Sequence, residues 1–345
     1  MNEEKASRER RPFETWLFET LRLGPIGGAA AILFVIYGLY LVMAALWGPS
    51  LIDPGTAYRL SVPAWAALIL SLIFSVALST MYYARRAPID EREALREALS
   101  ADPDAYAAVR RDATEASRAE RVAFWAGVLP GLAMAYPTLD YGSIPWREMI
   151  EPGRLWFTIA IPASIGLLFR AIIGSLLSDR LLNRVVRSGY RHDPLAPERS
   201  FVFGRIALRG ALTWFLIAGV IVLFFVRGAG GLGALFTVSI SVLGALSALL
   251  FPLAAVRRQI RAAKEAELDK LHAAMRDARR GALDGDAGEA QRLGGLAAYE
   301  QTVRTSPDWP VSAPVTTRFF LYILIPIVPW FGSAMAERIV MEMAR

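Results

Sequence analysis

The chain has 345 residues, of which 54% are hydrophobic and only 20% charged, with a mean hydropathy of +0.36. That balance excludes a secreted disulfide scaffold, a disordered chain and a soluble enzyme, and the absence of cysteine excludes thiolate catalysis, Fe–S clusters and cysteine-ligated zinc. Lys and Arg number 38 against 32 Asp and Glu, a formal net charge of +6, so what matters is where along the chain the basic residues fall.

Residues Pro12 to Arg22 place Phe13, Trp16, Leu17 and Leu21 on one helical face and end at Gly24-Pro25. The pattern predicts a short helix lying in the inner membrane interface. Seven apolar blocks follow: Gly24 to Trp47, Pro63 to Tyr83, Val122 to Leu139, Leu155 to Leu177, Gly210 to Val226, Leu232 to Val256 and Phe319 to Ala336. Each is about 17 to 24 residues long, enough to cross a hydrocarbon core of about 30 Å. The first exceeds the apolar core of a signal peptide and is read as an anchor. The third and seventh are short and broken, by Pro130-Gly131 and by Pro326 with Pro329, and the seventh has a re-entrant hairpin as its alternative.

Between the second and third blocks, Asp90 with Glu93 fits a capping box, and Asp102 before Pro103 fits an N-cap with proline at N1, so a helix from Pro103 is expected to run into the third span. Leu181, Leu182, Val185 and Val186 are expected to prolong the fourth helix, with a loop over residues 188–200. After the sixth block, Val256, Ile260, Ala263, Leu268, Leu271 and Met275 form an imperfect apolar stripe; Lys264 with Glu267 and Glu267 with Lys270 are spaced to pair. A break at residues 281–288 precedes a weaker helix carrying Leu293, Leu296 and Val303, which together predict a cytoplasmic helical hairpin.

The arms joining alternate spans are rich in Arg and Lys, whereas the three short loops facing them hold only Arg59, Arg147, Arg154 and Arg227. Positive charge stays on the cytoplasmic side, so the amino terminus is read as cytoplasmic. Trp47, Trp65, Trp146 and Trp156 fall at the outer span ends, where headgroup depth suits an amphipathic ring. The expected architecture is an all-α polytopic bundle of about seven spans. Its parts are residues 1–23 with the interfacial helix, 24–256 with six spans and cytoplasmic arms at 84–121 and 178–209, 257–317 as the cytoplasmic hairpin, and 318–345 as final span and tail.

The stretch from Glu267-Leu268-Asp269-Lys270-Leu271-His272 through Tyr299-Glu300, Ser306-Pro307-Asp308-Trp309-Pro310 and Arg318-Phe319-Phe320 into the last block resembles the carboxyl-terminal part of an uncharacterised family of bacterial multi-pass membrane proteins. The resemblance implies a bacterial inner-membrane protein and carries no activity with it.

Chemistry-bearing motifs are few. His192 and His272 are the only histidines, neither has a partner at metal-ligand spacing, and no P-loop, nucleophile elbow, HExxH or dinucleotide pattern is present. Asp284, Asp286 and Glu289 lack the regular ligand alternation of a calcium loop. Arg209 is read as an anchor at the inner interface, because the apolar block after it already covers about 25 Å. Arg170 sits about 8 Å inside the inner boundary of a core about 30 Å thick. The favoured reading is that it snorkels; the alternative is that it faces the bundle interior, where it needs a partner or a water-filled pocket. No acidic residue occurs in the middle of a span, so no internal ion pair is expected. Gly233, Thr237, Ser241 and Ala245, with Gly244 and Ala248 beside them, form a small-residue ladder suited to close helix packing. Its alternative is a polar lining through Thr237, Ser239 and Ser241, which with Arg170 makes the candidate polar membrane site.

These features favour a non-catalytic scaffold or regulatory membrane protein without cofactor or metal. Its candidate interaction surface is Ile260, Leu268, Leu271, Met275, Leu293, Leu296 and Val303, serving a second copy or a cytoplasmic partner. The basic arms predict attraction to the anionic cytoplasmic leaflet, not to nucleic acid. The alternative is a transporter or channel for a small or anionic solute, built around Arg170.

Overall fold

The computed structural model describes residues 12–47, 51–52, 60–85, 103–190, 192–225 and 231–328. Among them it is helical throughout, with one isolated bridge between Ile52 and Leu60. The helices are α1 (Phe13–Leu21), α2 (Pro25–Trp47), α3 (Val62–Arg85), α4 (Pro103–Thr138), α5 (Trp146–Met149), α6 (Pro152–Gly189), α7 (Phe201–Val222), α8 (Gly231–Leu283), α9 (Ala287–Thr305) and α10 (Ala313–Ile323), with a 3₁₀ turn at Pro197–Ser200 before α7 and another at Leu223–Phe225 after it. Five segments are long and apolar enough to cross a membrane: Pro25–Leu46, Val62–Ala84, Pro152–Leu177, Pro197–Phe225 and Val238–Leu283. The two remaining predicted blocks differ. The third forms the apolar end of α4; the described part of the seventh is not one continuous helix, because α10 stops at Ile323 and the chain tightens into turns before Pro326. The capping signals at Asp90, Glu93 and Asp102, the basic residues Lys5 to Arg11, and the chain beyond Val328 lie outside the described residues.

Several helices are longer than the spans they contain. α8 runs for 53 residues, about 80 Å at 1.5 Å per residue, straight through Pro252. No break separates the sixth predicted span from the stripe after it; a single rod carries both. α4 (36 residues) likewise joins the Pro103 start to the apolar Val122 region, and α6 (38 residues) runs on past Val186. α4 and α6 pack along one another where glycine removes the side chain. A Cβ on Gly131 would sit 2.5 Å from the Pro162 Cα, one on Gly127 2.8 Å from the Ile165 carbonyl, and one on Gly166 2.9 Å from the Phe124 ring. Gly127 and Gly131 form a G-x-x-x-G pair, the usual means of bringing two membrane helices into backbone contact.

α3 occupies the centre. Ala64, Ala67, Ile69 and Ala77 are fully buried, and Ser75 donates to the Ala29 carbonyl of α2 at 2.6 Å. At its amino-terminal end the Trp65 indole donates to the Leu223 carbonyl at 3.1 Å, and Trp156 of α6 stacks edge-on against Tyr40. These two tryptophans are therefore held by protein and do not form a headgroup belt: Trp65 is half-buried, and Trp156 is only 6% exposed. The side chains of Trp47 and Trp146 lie outside the described residues.

α9 folds back on the second half of α8. Gly285 at φ +93° makes the turn, and the Asp286 carboxylate caps α9 by accepting from the amides of Gly288 and Glu289. His272 meets Glu300 at 3.0 Å, and the Tyr299 hydroxyl donates to Glu267 at 3.3 Å. Lys264 does not pair with Glu267 as its spacing suggested. It donates instead to the Asp308 carboxylate at 2.7 Å and the Ser306 carbonyl at 2.8 Å, while Glu267 is taken by Lys270. Arg257 lies 4.4 Å above the Trp309 ring, and Pro310 presses its carbonyl against Gly204 of α7. The Ser306–Pro310 segment is thus the knot joining α7, α8 and α9.

Candidate functional site

The centre of interest lies where α1 meets the bundle. The sequence predicts a short helix in the inner membrane interface, with Phe13, Trp16, Leu17 and Leu21 on one face. The structure turns a different face inward: Glu14 is 0% and Phe18 1% exposed, whereas Phe13, Trp16 and Leu21 remain about half exposed. Phe18 stacks on Tyr82 of α3 at 4.5 Å, and a Cβ on Gly28 would lie 2.1 Å from the Phe18 ring, so only glycine admits the ring there. Arg22, at φ +50°, ends α1 in the left-handed region and lets the chain reverse into α2.

Beneath Glu14 is Arg170. Its Nη2 donates to both carboxylate oxygens of Glu14, at 2.9 and 2.8 Å, and its Nε lies 3.5 Å from Glu120 Oε2, an ion-pair rather than hydrogen-bond distance. The three side chains are 13% (Arg170), 0% (Glu14) and 8% (Glu120) exposed. Gly174, one turn beyond Arg170 on α6, leaves room for Glu120: a Cβ there would stand 3.2 Å from Glu120 Oε1. Arg170 therefore does not snorkel, and the expectation of no internal ion pair is overturned. Its physical basis was sound but incomplete: a charge this costly must be paired, and the partners came from α1 and the charged half of α4, outside the apolar blocks. Arg209 departs from expectation in the same way. It is 9% exposed and lies 5.1 Å above the Tyr83 ring, a cation held within protein and not an interface anchor.

A cavity of about 620 Å³ opens beside this cluster, between α1, α2, α3, α4 and α6, and Arg170 and Arg121 both line it. We find no family model that matches the chain, and no curated protein or solved structure that is similar to it.

The other sequence candidates are dispersed. Ser241 is buried and Ser239 exposed on α8, neither lines the cavity beside Arg170, and the Thr237 side chain lies outside the described residues. The ladder instead packs against α7: a Cβ on Gly244 would sit 2.5 Å from the Trp214 ring, and one on Gly210 3.5 Å from Ala248. Of the stripe on α8 and α9, Ile260, Leu271 and Val303 are buried, while Leu268, Met275, Leu293 and Leu296 are half-buried. Ile260 belongs to a core shared with Val186, Tyr190 and Phe203. Three of the seven are thus spent inside the chain, and the other four keep part of their surface exposed.

His192 accepts or donates at Nδ1 with the Tyr190 hydroxyl at 3.1 Å. Burial lowers its pKa from the ordinary histidine value, with Lys264 adding to the effect and Asp193 opposing it. Burial pushes the Tyr190 phenol up to about 12. Glu300 is held below the usual carboxylate range by hydrogen bonds from His272 and Arg304, and Asp308 by the hydrogen bond from Lys264. Among the described residues no group of three His, Asp or Glu is placed to hold a metal ion.

Sequence reasoning missed Glu14 and Glu120. The available signals were a glutamate four residues before Phe18 on one helical face, and a glutamate two residues before the apolar part of α4.

Proposed function

We propose that the chain is a non-catalytic multi-pass membrane protein of scaffold or regulatory type, with about seven spans, a cytoplasmic amino terminus and a place in a bacterial inner membrane. The observation that carries this reading is the engagement of Arg170 by Glu14 and Glu120. The one span arginine suited to a solute path serves to fasten α1 to the bundle. In this reading α1 is a latch, and the cytoplasmic hairpin of α8 and α9 is the contact region. With Ile260, Leu271 and Val303 buried inside the chain, the hairpin engages a second copy or a cytoplasmic partner through Leu268, Met275, Leu293 and Leu296 together with exposed charged residues such as Arg276, Arg279 and Arg292. The basic arms hold the anionic leaflet.

The second reading, a carrier or channel for a small or anionic solute, is supported by the cavity that reaches Arg170. Anion flux into proteoliposomes decides between them. The scaffold reading expects flux no greater than in empty liposomes. Saturable flux that Arg170→Lys abolishes establishes the carrier instead. Reporter fusions at Pro54, Gly142, Gly228 and Gly285 test the topology, and an external Gly285 would invert it.

A further inference from the structure

The cavity beside α1 is built for hydrocarbon. Its walls are apolar, drawn from Ile32 and Ile36 of α2, Phe74 and Leu78 of α3, and Ala163 and Leu167 of α6. A water-soluble anion gains nothing from such walls and would surrender its hydration to enter. The cavity is also open sideways. Val35 and Trp125 line it and are 66% and 67% exposed, and they continue into the exposed apolar faces of α2 (Ile26, Phe34, Val42) and α4 (Val122, Leu129). In a bilayer those faces meet lipid.

Among the described residues the charged groups lining the cavity are Arg121 and Arg170, and Arg170 is held by Glu14 and Glu120. Arg121 is exposed on α4, with Arg118 one turn before it and Trp125 one turn after, so a cation and an interfacial ring stand together at the opening. An apolar slot of this size, in the range of single-ligand pockets, with cationic side chains at its mouth complements an amphiphile with an anionic head.

We infer that the cavity holds one acyl chain of an anionic phospholipid, with the phosphate seated at the Arg121 guanidinium. α1 forms part of the slot through Phe13, Leu17 and Leu21, so the bound chain packs against the latch and favours its closed position. The inference stands whether the protein is a scaffold or a carrier, because it concerns the lipid-facing side of the bundle.

Native mass spectrometry of the full chain, released from nanodiscs containing equimolar phosphatidylglycerol and phosphatidylcholine, tests it. One phosphatidylglycerol should be retained, with a preference of about fivefold, the worth of one basic residue at an anionic lipid surface. Arg121→Gln should bring the preference to about one, and Ala163→Phe should remove the lipid by filling the slot. Val35→Trp, at the exposed mouth, should act in the same direction without disturbing the packed interior, and keeps the test valid where Ala163→Phe fails to unfold cooperatively. Equal retention of both lipids by the unaltered protein overturns the inference. So does wild-type retention in both slot-filling variants, or retention of a free fatty acid in place of a phospholipid.

Discussion

Two regions fasten a distant segment of chain onto the bundle with a cation, and they differ in where the counter-charge sits. Under α1, Arg170 is 13% exposed and its partners Glu14 and Glu120 are 0% and 8% exposed. At the Ser306–Pro310 knot, Lys264 is similarly sheltered at 11%, but its partner Asp308 is 37% exposed and two backbone carbonyls share the ammonium. Withdrawing the cation from the first site takes the guanidinium away from two buried carboxylates. Withdrawing it from the second leaves a carboxylate that water can reach. The burial of the partner, more than that of the cation, sets how strongly each fastening responds to change.

The largest expected effect follows directly. Arg170→Met should cost about 3–5 kcal/mol, the range for removing one partner of a buried pair, and release α1. The triple change Arg170→Met, Glu14→Gln, Glu120→Gln should recover most of the loss, because no uncompensated charge remains. Thermal unfolding in nanodiscs reads both; a triple variant as unstable as the single would show that shape, not charge, governs the latch. Arg170→Lys should fall between them, since a single ammonium cannot span both carboxylates as the guanidinium does.

Gly28→Ala should come next. The added Cβ would lie 2.1 Å from a ring pinned on Tyr82, an overpacking cost of about 1–3 kcal/mol. Hydrogen exchange should quicken in α1 while α9 stays unchanged. Exchange accelerated equally in both would mean that the two regions are not separate fastenings.

Lys264→Met should cost about 1 kcal/mol, as a hydrogen-bonded charge whose partner remains hydrated. Its exchange signature should be confined to α9 and the Trp309 segment. An effect as large as that of Arg170→Met would overthrow the comparison.

Lowering the pH should destabilise the protein in two steps. The His192 pKa is lowered by burial, so the unfolded chain takes up that proton first, near pH 6.5. Stability present above that value is lost as pH falls toward the folded pKa. Asp308, also lowered, adds a second loss below about pH 4. His192→Gln should flatten the first decline and leave the second. An unfolding temperature with the same pH dependence in both proteins would remove His192 from the account. Smallest of all, His272→Ala should leave the unfolding temperature unchanged, since its partner Glu300 keeps Arg304 on an exposed surface.

Much of this molecule is legible in its residues. The helical class, the long apolar segments within α2, α3, α6, α7 and α8, the short helix before the first span and the break at residues 281–288 all follow from composition and local period. Those signals extend over one or two helical turns, and each is recorded in neighbouring residues. The sequence also marked Arg170 as anomalous, because a charge in an apolar block is costly wherever it lies.

What supplies its counter-charge was decided only in three dimensions. Glu14 is 156 residues away, on a helix whose apolar stripe lies on the neighbouring face, and Glu120 comes from the charged half of α4. Local periodicity ranks faces by hydrophobicity, and by that measure Phe13, Trp16 and Leu21 outrank Glu14 and Phe18. The fold inverts the ranking for α1, because pairing a buried guanidinium and seating one ring against Gly28 are interactions with specific distant groups. The cavity beside them arises the same way, from helices that approach closely where glycines allow it and part where they do not. The requirement for a partner is a property of the single residue, whereas the partner's identity is a property of the packing.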